Sequence, residues 1–288
     1  MTQLAKPFLK WAGGKTQLIS EIQKSLPENL SQFTYIEPFV GSGAVLFWLV
    51  QNYPGVKKVV INDINIDLIN TYKVIANNPH DLINVLHQYE CEFHSKINDV
   101  DRKLYYYEKR KIFNNKTENT ITQSALLIFL NKTCFNGLYR VNKKGEFNVP
   151  MGSYKKPTIC DSTNILACSK VLRRSEILCG DYQEVLRFVD DNSFFYFDPP
   201  YKPLTKTSNF NSYSSESFGN NQQIRLAEFC DKISNLNHKF ILSNSDTGDN
   251  FFDNLYSQYK INRVKAKRSI NSSGSKRGEI NELLIKNF

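Results

Sequence analysis

The sequence predicts an α/β fold, a Rossmann-like and mostly parallel sheet interrupted by a mostly helical insert that bears a β-hairpin. Three observations carry this prediction. A strand, a glycine turn and an apolar helix follow one another over 33–50, and a second strand follows at 58–63. Strand-like runs then return only after residue 160, ending in the aromatic run 194–197. Between them, 66–160 reads as polar, aromatic-rich helices. The sheet body is therefore expected at 1–65 and 161–288, and the insert at 66–160.

The first segment, Pro7-Phe8-Leu9-Lys10-Trp11-Ala12-Gly13-Gly14-Lys15, sets a Gly-Gly turn between two lysines beside a tryptophan, ahead of a helix expected from about Thr16. It lacks the spacing of a phosphate loop, which argues against binding a nucleoside triphosphate. Next come a strand at 33–36, the tight turn Glu37-Pro38-Phe39-Val40-Gly41-Ser42-Gly43, and a buried helix from Ala44. Glycines there let the backbone approach a ligand at the helix N-terminus. The strand 58–63 ends in Asp63, about 20 residues after Gly43, the spacing of a carboxylate that grips ribose hydroxyls. The short G-x-G, without a third glycine and with Glu37 before it, suits a nucleoside-type cofactor better than a dinucleotide. S-adenosylmethionine, with adenine and ribose but no phosphate, meets that description.

In the insert, helices are expected at 67–75, 79–93, 104–112 and 124–130, and the segment holds over half of the chain's formal charge of +9. His80, His87 and His94 recur every seven residues, about 10.5 Å along a helix and too far apart to share one ion. They read as a partly exposed helix face, and no metal is expected. The stretch 131–150 alternates around Asn142-Lys143-Lys144-Gly145 as a hairpin does. Its arginine, asparagines and flat rings are the groups used for reading bases, although an ordinary surface hairpin would share the alternation.

After Cys160, a strand at 176–181 ends in Asp181, a helix follows, and the run 194–197 leads into Asp198-Pro199-Pro200-Tyr201. Two prolines forbid the strand to continue, which leaves a carboxylate at its carboxyl end, the edge where open α/β sheets bind ligands. An aspartate and a turn carbonyl can each accept a hydrogen bond from an amine on a flat ring, and a tyrosine can stack on that ring. A strand that simply ends in a capped proline turn would look the same. The polar loop 202–221 is a candidate lid; a helix is expected at 222–233 and strands at 239–245 and 281–285. From 254 to 278 the chain is rich in lysine and arginine and has no acid, ending in a loop at 268–278 suited to phosphate contacts.

The 288 residues suffice for one large domain with an inserted module. Lysine and arginine outnumber aspartate and glutamate 37 to 28, which favours a polyanionic partner. The six cysteines form no C-x-x-C pair, as expected of free thiols in a reducing cytosol. The start lacks a signal-peptide core and the longest apolar run, 44–50, is too short to span a bilayer. A soluble, cytoplasmic protein with no membrane partner is expected.

With these residues in place, the chain resembles the DNA adenine-N6 methyltransferases of the Dam and DpnII/MboI type nearly end to end. The resemblance rests on 8–15, 37–43, Phe135-Asn136-Gly137-Leu138-Tyr139-Arg140, Gly145-Glu146-Phe147-Asn148-Val149-Pro150 and 198–201, which occur in the family's order. It implies a methyltransferase body around S-adenosylmethionine, with the insert as the target-recognition domain. Trp11, Lys15, Glu37, Phe39, Gly41 and Gly43 would line the cofactor site, with Asp63 on the ribose and Asp181 near the cofactor adenine, and Asp198 would count among the cofactor-binding residues as well. Within the catalytic tetrapeptide Asp198, Pro199, Pro200 and Tyr201, the Asp198 side chain and Pro199 carbonyl would hold the target N6, and Tyr201 would stack on the flipped base. Phe135 would intercalate; Asn136, Leu138, Arg140 and Pro150 would read the site; Lys10 and Tyr154 would serve its outer base pair.

The implied substrate is duplex DNA containing GATC, methylated by a monomer. That enzyme would either protect the genome from an endonuclease cutting the same site or act alone in replication and repair. Ser153 departs from relatives that carry arginine there, which bears on flanking contacts. Rival readings are an amine methyltransferase of RNA or of protein glutamine, against which Asp198 and the hairpin argue, and a catalytically silent DNA-binding protein.

Overall fold

The computed structural model describes residues 4–11, 13–202, 218–267 and 279–288. The strands are β1 (Thr34–Glu37), β2 (Lys58–Asp63), β3 (Ser175–Cys179), β4 (Ser193–Phe197), β5 (Lys239–Ser245), β6 (Lys260–Lys267) and β7 (Glu279–Lys286). They form one seven-stranded sheet in the order β3-β2-β1-β4-β5-β7-β6. β1 to β5 run parallel to one another, while β7 is antiparallel to both β5 and β6. The order reverses direction between β1 and β4, and a crevice at their carboxyl ends is where such a sheet takes its ligand.

Alternation along each strand explains why the sheet is buried on both faces. In β4, Phe194 and Tyr196 join Tyr35, Val59 and Ile61 in one core, whereas Phe195 and Phe197 join Ile36, Val60 and Leu242 in the other. The first face is covered by α2 (Ala44–Asn52), α3 (Ile66–Asn77) and α7 (Ser162–Leu172), the second by α8 (Asn220–Asn235) and α9 (Phe251–Leu255). A short α1 (Ile19–Ser25) follows the N-terminal segment.

Between β2 and β3 the chain also forms α4 (Pro79–His94), α5 (Asp99–Asn115) and α6 (Thr120–Thr133). α6 packs on α3, α4 and α5, and its residues from Ser124 to Asn131 are all buried, as befits a helix enclosed by others. Asn65, Asn98 and Asn119 cap α3, α5 and α6 through their side chains, which fixes where each helix starts. His80 and His87 are exposed on α4, and His94 contacts the Pro157 carbonyl at 3.1 Å.

Several elements differ from expectation. The predicted N-terminal helix begins as a 3-10 turn at Lys15–Leu18 before α1. The strand expected to run to Asp181 stops at Cys179, because Gly180 adopts φ +153° and the Asp181 side chain caps the 3-10 segment Tyr182–Phe188. β6 lies within a stretch read only as basic surface, for its lysines and arginine mask a weak alternation; such charges suit a sheet edge. α7 and the five-residue α9 were not foreseen.

The predicted hairpin is short, with one antiparallel bridge between Val141 and Phe147. The Asn142 N–H donates to the Glu146 carbonyl and the Asn148 N–H to the Arg140 carbonyl on either side of it, while the outward-facing Phe147 N–H donates to Asn114 Oδ1. Most of the expected lid, and the loop 268–278, lie outside the described residues. Among those residues no helix is long and apolar enough to cross a membrane, and all six cysteines are free thiols.

Candidate active site

Three carboxylates end adjacent strands at the reversal point: Glu37 on β1, Asp63 on β2, and Asp198 immediately after β4. The register pairs Phe197 with Leu242, so Asp198 stands next to Ser243, whose hydroxyl donates to Asp198 Oδ1 at 3.3 Å. Lys15 Nζ lies 2.6 Å from the same oxygen and is only 3% exposed. Burial pushes the Asp198 carboxyl above its ordinary range, while Lys15 and Ser243 pull it back. The Lys15 ammonium also contacts the Tyr201 hydroxyl, which donates to the Glu282 carboxylate at 2.9 Å from each oxygen. Behind the turn, the wholly buried Gln223 donates to the Pro200 carbonyl at 3.2 Å and accepts from Asn244. The tetrapeptide Asp198–Tyr201 is thus held from β5, β7 and α8, not by its own loop alone.

The glycine turn packs against this corner. Gly43 caps α2 with φ +71°, and a Cβ there would meet the Tyr72 hydroxyl at 2.6 Å. That hydroxyl donates to the Gly41 carbonyl at 3.0 Å. Asp63 Oδ2 accepts from the Gly41 N–H at 3.0 Å and Oδ1 from the Asn65 N–H at 2.9 Å. Glu37 accepts from the Tyr35 hydroxyl at 2.7 Å; burial raises its pKa well above the ordinary range, and Asp198 and Asp63 add to the rise. Phe39 packs on Tyr182, and Gly180, next to Asp181, donates to the Asp63 carbonyl at 3.2 Å. Asp181 itself is gripped by Arg225 through two bonds of 2.8 and 3.1 Å.

This donor set fits S-adenosylmethionine. Clustered carboxylates suit its sulfonium and ammonium charges, Asp63 oxygens retain lone pairs for ribose hydroxyls, and the glycine turn leaves room beside the Trp11 indole, 3.2 Å from where a Gly41 Cβ would stand.

On the neighbouring surface the structure gathers most of the residues expected to meet DNA. Gly137 has φ +63°, and a Cβ there would run into the Lys10 side chain at 2.4 Å. Asn131 ties the two segments by donating to the carbonyls of Lys10 and Gly137. Lys10 Nζ donates to the Tyr154 hydroxyl at 3.2 Å. Phe135 is 51% exposed, and its N–H donates to the Pro150 carbonyl at 2.9 Å. Asn136 is exposed in a left-handed conformation at φ 54°, and Leu138 is half-buried. Arg140 Nε donates to Asn148 Oδ1 at 2.7 Å. Trp11 stacks on Tyr139 at 5.4 Å, which joins this surface to the glycine corner.

Sequence reasoning missed Glu282, Ser243, Gln223, Tyr72 and Arg225. Glu282 had a signal, since a carboxylate that leads directly into the apolar run Leu283-Leu284-Ile285 needs a partner if the strand is buried. The others give none without the register.

The sheet order and the acid-lined glycine turn define a Rossmann-like, S-adenosylmethionine-dependent methyltransferase. The family model for D12 class N6 adenine-specific DNA methyltransferases matches residues 11–270, and the chain belongs to that family, whose methyl donor is S-adenosylmethionine. It is 53% identical to the type II methyltransferase M.MjaIII of Methanocaldococcus jannaschii, covering 98% of this chain and 99% of that one. It is 38% identical to a DNA adenine methylase of Haemophilus influenzae, over 97% of this chain and 92% of that one. With a DNA adenine methylase of Escherichia coli K12 the identity is 34%, over 97% and 94%.

Proposed function

We propose that this enzyme flips the adenine of duplex GATC out of the stack and methylates its N6, with residues 66–160 as its recognition module. The observation that carries the reading is the Asp198–Tyr201 turn at the sheet's reversal point, paired with Lys15, together with an exposed Phe135 on the surface that the Trp11–Tyr139 stack joins to the glycine corner. When bound, S-adenosylmethionine supplies an electrophilic methyl group. Asp198 and the Pro199 carbonyl accept the two N6 hydrogens, which turns the nitrogen lone pair outward and stabilises the positive charge that develops there. The proton leaves N6 afterwards, so Asp198 need not remove it first. Extrusion costs a few kcal/mol, and stacking on Tyr201 returns about 1 to 3 kcal/mol per base. Phe135 fills the gap in the duplex, Arg140, Asn136, Leu138 and Pro150 read the inner bases, and Lys10 with Tyr154 reads the outer pair.

Likeness to a protein named a type II methyltransferase supports a protective role beside a cognate endonuclease; that the endonuclease cuts GATC and that the enzyme acts as a cytoplasmic monomer are parts of the same proposal. The test is methyl transfer from radiolabelled S-adenosylmethionine to matched duplexes that differ only in GATC or a one-base variant, followed by nucleoside analysis. N6-methyladenine confined to the GATC duplex is the expected result; label spread over both duplexes would refute the recognition assignment.

A further inference from the structure

Lys15 stands where the proposed chemistry needs space. Its ammonium is 2.6 Å from Asp198 Oδ1 and 4.5 Å from the centre of the Tyr201 ring, so it occupies both the acceptor and the edge of the platform assigned to the target base. A buried ammonium cannot simply be released, because losing its partner there costs far more than losing a surface contact. Among the described residues, one other carboxylate is within its reach. Glu282 Oε2 lies 3.9 Å from Lys15 Nζ, and the residue is 6% exposed. β7 places it opposite Ser245 of β5 and Val264 of β6. Glu282 also accepts the Tyr201 phenol on both oxygens.

We propose that Glu282 is a positioning residue for methyl transfer, which anchors Tyr201 and receives Lys15 when the target amine displaces it from Asp198. The inference rests on the role given to Asp198 above. Before DNA arrives, Lys15 keeps the catalytic carboxylate paired and the Tyr201 ring in place. When adenine N6 donates to Asp198, a shift of little more than 1 Å by the ammonium closes the 3.9 Å gap to a charge-assisted hydrogen bond with Glu282. The buried corner then contains the same charges throughout, one ammonium and two carboxylates, and no group is left unpaired. The ionisable groups facing Glu282 among the described residues are Lys15, Asp198, Tyr201 and Tyr196.

The test separates the charge of Glu282 from its hydrogen bond to Tyr201. Glu282→Gln keeps an acceptor for the phenol and removes the charge. In single-turnover methyl transfer to a GATC duplex, E282Q is expected to fold, to bind the duplex like the parent, and to lose about tenfold or more in the methyl-transfer rate. The acid limb of its pH profile should move to lower pH, because removing a nearby anion eases ionisation of Asp198. A parental rate with an unmoved acid limb would overturn the proposal, since an anchor for Tyr201 alone would survive the change.

A second comparison uses Lys15→Gln with and without E282Q, and it also serves if E282Q alone does not fold. If Glu282 acts through Lys15, the pair is no slower than K15Q, and multiplied losses would refute the exchange. Asp198→Asn, run beside them, tells the two readings apart: an active D198N removes the basis for both, whereas an inactive D198N with a parental E282Q removes only this one.

Discussion

In the proposed mechanism Asp198 carries the chemistry, and its surroundings set two expectations. Asp198→Ala should abolish methylation while leaving duplex affinity largely intact, because its bonds run to Lys15 and Ser243 and not to the surface proposed to meet DNA. Lost binding with normal turnover in a filter-binding and methylation series would contradict this role. The second expectation concerns pH. Burial raises the pKa of Asp198, and its task requires the carboxylate, so activity is present above that raised value and disappears as pH falls through it. The acid limb of single-turnover rate against pH should therefore lie above the ordinary aspartate range near 3.9. A limb at or below that range would show that Lys15 outweighs burial. Arg140 belongs to the same scale: its Nε bond to Asn148 holds the fork ready before any base is met. Arg140→Ala should reduce discrimination between GATC and near-cognate duplexes by about 1 to 3 kcal/mol, as measured by competition binding.

Among the elements, the glycine turn before α2 is the most constrained. Gly43→Ala would place an L-residue at φ +71° and push its Cβ to 2.6 Å from the buried Tyr72 hydroxyl that holds the Gly41 carbonyl. The variant should lose about 1 to 3 kcal/mol in denaturant unfolding and bind S-adenosylmethionine more weakly. An unchanged midpoint and cofactor affinity would mean that Tyr72 moves away freely. This turn was legible in the sequence, as were β2 and β5 to the residue, because glycine spacing and apolar runs report local geometry. β6 was not legible, for an edge strand laced with lysines gains its order from pairing with β7 rather than from its own pattern. Glu282, Ser243 and Gln223 were hidden for a related reason: each reaches the tetrapeptide only through the register of β5 and β7 or the seat of α8. Sequence spacing pointed to the candidate site residues, and tertiary pairing decides what holds them in place.

At the scale of the whole molecule, the formal charge of +9 and the exposed Lys10 and Phe135 beside the glycine corner imply that affinity for DNA has two separable parts. Phosphate contacts release counterions and respond to salt whatever the sequence, with a slope of about −0.9 per phosphate neutralised. The base contacts proposed for Arg140 and its neighbours would add a preference that salt changes little. Duplexes with and without GATC should therefore weaken along nearly parallel lines when log affinity is plotted against log salt, separated by a constant offset. Arg140→Ala should shrink that offset and lower the slope by no more than about one unit. If the GATC line were instead flat while the other fell, recognition would be independent of the phosphates. The basic surface would then have no part in holding the duplex while its adenine is extruded.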